Sequence, residues 1–120
     1  MAMKRTTMKN ILLAGLMGIW ASAALAHSPL ESTSPISEST IKDVPSEILL
    51  EFKGEIRLTR VTMSHGPHSN VALNVSGKRE FTSIHRILMQ GMGSGNYVID
   101  WRGLGIDGHA MNGTFSFAVE

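Results

Sequence analysis

The sequence predicts an all-β domain, an antiparallel sandwich or barrel, on three observations. Apolar and polar residues alternate with period two in several short runs, the pattern of half-buried strands. Clusters of Gly, Pro, Asn and Ser separate those runs. No stretch beyond residue 26 repeats its apolar residues convincingly at helical spacing. With 120 residues the chain holds one domain at most.

The first 26 residues stand apart and are expected to be a cleaved signal peptide. Lys4, Arg5 and Lys9 form a positive head, and Ile11 to Ala24 is apolar and uncharged. Ala24-Leu25-Ala26 supplies the small-x-small pattern that signal peptidase reads. The apolar run is about 14 residues, short of the roughly 20 that a membrane anchor requires. Residues 27–120 are then the mature domain, expected to be exported and soluble and to begin with His27. Three of the eleven cations leave with the leader, so eight face ten acids, a net charge of −2. No basic patch remains to suggest nucleic acid. The chain has no cysteine, so a metal would be held by nitrogen, oxygen or thioether donors.

Taken in order, residues 27–40 read as an extended segment with turns, because Pro29 and Pro35 exclude a helix. Such a segment suits a loop or an edge strand. Val44-Pro45-Ser46 marks a second turn. Residues 47–52 form a strand with Ile48, Leu50 and Phe52 on one face. Residues 56–63 alternate as well, with Ile56, Leu58, Arg60 and Thr62 opposite Arg57, Thr59, Val61 and Met63. Which of these two faces points inward is ambiguous. Ser64 to Asn70 is a loop by composition, and Val71 to Val75 a strand. Residues 80–89 suit either a strand or a short helix, with His85 an ordinary surface or strand histidine. Residues 90–96 are expected to be a flexible connection, being mostly Gly and Asn.

The C-terminal stretch is the most informative. Tyr97, Ile99 and Trp101 share one face of a strand, and Phe115, Phe117 and Val119 share a face of the next. Trp101 is expected to be buried. Between these strands stands Asp107-Gly108-His109. Two residues apart in an extended segment, the carboxylate and the imidazole project to the same side.

The run Tyr-x-x-x-Trp-Arg-x-x-x-x-Asp-Gly-His-x-x-x-Gly-x-Phe-x-Phe-x-Val, Tyr97 to Val119, resembles the C-terminal half of the CopC-type periplasmic copper-binding proteins. The N-terminal half is similar in spacing, with His27, a Ser-Pro turn eight residues on, the turn at Pro45 and an apolar strand ending at Phe52. The resemblance implies a Greek-key β-barrel or sandwich of immunoglobulin or cupredoxin type. It also implies Cu(II) ligation by the N-terminal histidine and by the Asp and His of the C-terminal motif, which fall on His27, Asp107 and His109. The chemistry suits the ion. A free α-amine titrates near about 8 and imidazole near about 6.5, so a metal displaces both protons at neutral pH. Three nitrogens and one carboxylate oxygen form the tetragonal donor set that Cu(II) favours.

Two departures from the family pattern bear on that site. Many relatives carry a Phe-Ser-Glu sequence whose carboxylate lies at the copper, whereas this chain has Phe52-Lys53-Gly54-Glu55. The acid arrives one residue late, and Glu55 reaches the metal only if Gly54 forms a bulge. Relatives also hold Cu(I) on a methionine-rich loop, but the corresponding Met63 to His68 contains one methionine. Met89, Met92 and Met111 are scattered, as core fillers often are. His65 and His68 flank a Gly-Pro turn, either as solvated loop residues or as a second nitrogen site.

The resulting expectation is a non-enzymatic copper(II)-binding protein of copper homeostasis, tolerance or delivery. Its expected partners are an inner-membrane copper-transport protein or a cuproenzyme. No nucleophile–base pair, phosphate loop or paired carboxylates point to hydrolysis or group transfer. Two alternatives belong to other classes. A histidine-brace copper oxidase would produce peroxide with ascorbate, and a metal-free immunoglobulin-like interaction module would fail to retain Cu(II) in dialysis.

Overall fold

The computed structural model of the chain describes residues 29–76 and 79–120; the expected leader and His27 lie outside them. Every regular element among the described residues is a strand. In chain order these are β1 (Leu30–Ser34), β2 (Thr40–Ile41), β3 (Glu47–His65), β4 (His68–Leu73), β5 (Thr82–Leu88), β6 (Gly95–Gly105) and β7 (Ala110–Val119). The all-β expectation holds.

β3 is the spine of the fold. Its first half pairs antiparallel with β1 and β5, and its second half with β6 and β4. β7 continues the sheet beyond β6, and β2 closes onto β7. The sheet therefore curls around one long strand, with the long-range connections of a Greek key. One pairing departs from the antiparallel rule: β2 runs parallel to β7.

The two strands expected over 47–52 and 56–63 are thus halves of β3, and a bulge explains the ambiguous face. Leu58 pairs with Gly103 but Arg60 pairs with Arg102, so β3 carries one extra residue at this point. An extra residue reverses facing. Ile56 and Leu58 are buried before it, and Val61 and Met63 after it. Each candidate face points inward over half of the segment.

β5 resolves as a strand, with a polarity opposite to what composition suggests. Ile84 and Leu88 face solvent, whereas His85 and Ile87 face the core. His85 is only 1% exposed, which corrects the surface option for this residue. Its burial is tolerated because Nε2 meets the carbonyls of Ile56 at 2.8 Å and Thr82 at 3.1 Å. The ring also stands edge-on to Phe52.

The glycine-rich connection before β6 is tied down rather than loose. The Tyr97 hydroxyl donates to the Gly93 carbonyl at 2.6 Å and accepts the Met92 N–H at 2.9 Å. A buried tyrosine with both roles of its hydroxyl filled fixes the corner, as in other sandwiches. Trp101 is 1% exposed, as expected. Phe52 packs edge-on to it with ring centroids 4.8 Å apart. Its indole lies over Gly113 on β7, where a Cβ would stand 2.8 Å from Nε1.

Candidate metal centre

The β6–β7 hairpin carries the Asp-Gly-His motif at its tip. Gly105 N–H donates to the His109 carbonyl, and Gly108 N–H to the Gly105 carbonyl, each at 2.9 Å. Gly108 has φ 84°, the left-handed conformation that closes a three-residue loop. Asp107 therefore sits in a tight turn, not in the extended segment from which its convergence with His109 is expected. The two side chains nonetheless meet. Asp107 Oδ2 lies 2.6 Å from His109 Nδ1, and Oδ1 accepts the His109 backbone N–H at 3.1 Å.

This geometry has electrostatic consequences. The hydrogen bonds from the His109 ring and backbone hold the Asp107 carboxyl below the usual carboxylate range. An imidazole whose Nδ1 donates to a carboxylate presents, when neutral, the lone pair of Nε2 to a ligand. Both side chains are largely exposed, His109 by 80% and Asp107 by 63%. An ion pair so exposed adds little to folding. Its cost to the fold is small and its accessibility high.

Two further segments reach the same end of the molecule. Gly105 pairs with Ile56, which brings Gly54 and Glu55 of β3 beside the turn. Lys53 N–H donates to the Pro29 carbonyl at 2.9 Å, which anchors the start of the described chain there. Pro29, Gly54, Glu55, Asp107 and Met111 line one shallow depression of about 360 Å³. The pairing of β3 with β5 is irregular between Glu51 and Ile56, so Glu55 sits where regular pairing lapses. The described residues include no group of three His, Cys, Asp or Glu spaced to hold a metal ion. Asp107 and His109 are brought together, and His27 lies outside the described residues.

The other loop histidines lie far away. Tyr97 pairs with His65 and Gly105 with Ile56, so nine residues of β3 separate the two ends. That is roughly 30 Å of strand. His65 and His68 face each other across a two-residue Gly66-Pro67 turn, shorter than the loop that composition suggests. His65 Nε2 donates to the Ser94 carbonyl at 2.7 Å, and its ring lies 4.4 Å from that of Tyr97. Neither histidine adds a donor to the Asp107–His109 pair. Met63 is a fully buried core residue, whereas Met111 stands beside Asp107. Sequence periodicity offers no sign of that proximity, because it depends on the hairpin turn.

A family model described as the CopC domain matches residues 30–120. The chain is 31% identical over 123 residues to copper resistance protein C of Escherichia coli, covering 93% of this chain and 96% of the relative. The crystal structure of CopC from Methylosinus trichosporium OB3b is similar in fold, with a TM-score of 0.62. That match is 21% identical and covers 78% of this chain and 94% of the other. PcoC, a methionine-rich copper resistance protein from Escherichia coli, is similar with a TM-score of 0.55 and 25% identity. This match covers 79% of this chain and all of the other. The match over the whole strand-forming region and the identity along nearly the full length place this chain in the CopC family.

Proposed function

We propose that this protein is exported, cleaved after Ala26, and holds one Cu(II) in the periplasm through His27, Asp107 and His109. The observation that carries this reading is the exposed Asp107–His109 pair, close to the anchored backbone of Pro29. One residue, Ser28, separates Pro29 from His27, and two steps of extended chain reach about 7 Å. The α-amine and ring of His27 would supply two nitrogens, and His109 a third. Asp107 would supply an anionic oxygen in place of its hydrogen bond to His109 Nδ1. These donors fit Cu(II), which favours imidazole and carboxylate in tetragonal arrangements.

The role is that of a carrier rather than a catalyst, in copper tolerance or delivery, and the protein acts as a monomer. An exposed site at one end of a sandwich suits transfer of the ion to an inner-membrane transporter or a cuproenzyme. Membership of a family that includes a copper resistance protein supports this role. The test is the mass and metal content of protein recovered from the periplasm. The expected result is a chain starting at His27 with one copper per molecule. An intact leader, a different first residue, or protein that takes up no Cu(II) in equilibrium dialysis would refute it.

A further inference from the structure

We propose that Met111 gives the same site a thioether with which it also holds Cu(I); this rests on the metal-site reading above. Met111 pairs with Gly103, two residues from the tip of the β6–β7 hairpin. A Cβ at Gly105 would stand 2.9 Å from the Met111 terminal methyl carbon and 3.0 Å from Asp107 Oδ1. Those two atoms therefore lie within about 6 Å of each other, around a point that glycine keeps clear of side chain. His109 is hydrogen-bonded to the same Asp107 carboxylate. The hairpin tip thus groups an imidazole, a carboxylate and a thioether.

The other methionines of the described domain are placed differently. Met63 is fully buried, and Met89, Met92 and Met111 all pack half-buried against the core. Met89 and Met92 do so in the connection before β6, where Met92 N–H meets the Tyr97 hydroxyl, away from Asp107. Met111 is half-buried and lines the depression shared by Asp107 and Glu55. A carboxylate is a poor ligand for Cu(I), which prefers soft sulfur together with imidazole. A neutral thioether needs no deprotonation and adapts its three rotatable bonds to the ion. Cu(I) taken up at this site would therefore be held chiefly by Met111 and His109, without requiring a second site elsewhere.

The substitution Met111→Leu separates this role from space filling, since Leu replaces Met in volume without the sulfur. The mature protein is titrated anaerobically with Cu(I) against a chromophoric chelator, and separately with Cu(II). The variant is expected to lose at least about tenfold in Cu(I) affinity with a far smaller change for Cu(II), since a thioether is a good ligand for the reduced ion and a weak one for the oxidised ion. X-ray absorption of the Cu(I)-loaded wild type should show a sulfur neighbour that the variant lacks, and Met92→Leu should change neither result. Undiminished Cu(I) affinity in Met111→Leu, or no sulfur around Cu(I) in the wild type, would overturn the proposal while leaving the Cu(II) site intact. Wild-type protein that fails to bind Cu(II) would instead refute the underlying site.

Discussion

The two ends of the β3–β6 pairing carry the same raw materials, a tight turn with glycine and exposed or half-exposed histidine, yet use them in opposite ways. At one end, His65 is folded into the structure: it donates to the Ser94 carbonyl and leans on the Tyr97 ring. That tie helps to hold the connection before β6, which the Tyr97 hydroxyl also fixes. At the other end, His109 projects into solvent and is oriented by a carboxylate that is itself largely exposed. A histidine engaged with backbone and core reads as structure. A histidine oriented but left accessible is available for the metal site proposed above.

Trp101 lies between the two ends on β6, and its loss should weaken both. Trp101→Ala is expected to cost about 3–5 kcal/mol, as for other large aromatic truncations in a core. Denaturant unfolding followed by circular dichroism measures this, and a cost below about 1 kcal/mol would deny Trp101 its place in the packing. The histidines should then separate stability from metal. His109→Ala should lower Cu(II) affinity at least about tenfold, because a nitrogen donor is lost. Its unfolding midpoint should hardly move, since an exposed pair contributes little.

At the opposite end the pattern should invert. His65→Ala should cost about 1–2 kcal/mol through the lost Ser94 and Tyr97 contacts. The double variant His65→Ala with His68→Ala should still bind one tight Cu(II), as measured by competition titration. Loss of that binding would collapse the distinction between the ends. The smallest effect belongs to Asp107→Asn, in which a neutral amide oxygen can still occupy the ligand position; Cu(II) should weaken less than in His109→Ala. The depressed Asp107 pKa adds a pH signature. Whatever stability the carboxylate contributes is present above about pH 4 and lost as pH falls through the folded value, so wild type and Asp107→Asn should converge in acid.

Much of this architecture was legible in the residues, for a clear reason. Ile48, Leu50 and Phe52, or Tyr97, Ile99 and Trp101, alternate regularly and are buried as alternation requires. The pattern became unreadable where the backbone departs from regularity. The bulge near Arg60 reverses facing in mid-strand, so neither face of residues 56–63 looked continuously apolar. On β5 the core accepts a hydrogen-bonded His85 while Ile84 and Leu88 lie outside, which inverts the usual signal. Asp107 and His109 stand out as a pair, but a spacing of two suggests extended chain where the backbone makes a tight turn. Met111 could not be singled out, since its nearness to Asp107 is created by a hairpin and by the missing side chain of Gly105.

In the proposed site the amino terminus of His27 joins Asp107 and His109 on one Cu(II). The most direct measurement is the Cu(II) affinity of mature protein carrying one additional residue before His27. The extension alters no native side chain but replaces a primary amine by an amide, whose proton a metal displaces far less readily. A sharp fall in affinity is expected, comparable to that of His109→Ala. Undiminished affinity in the extended protein would contradict it.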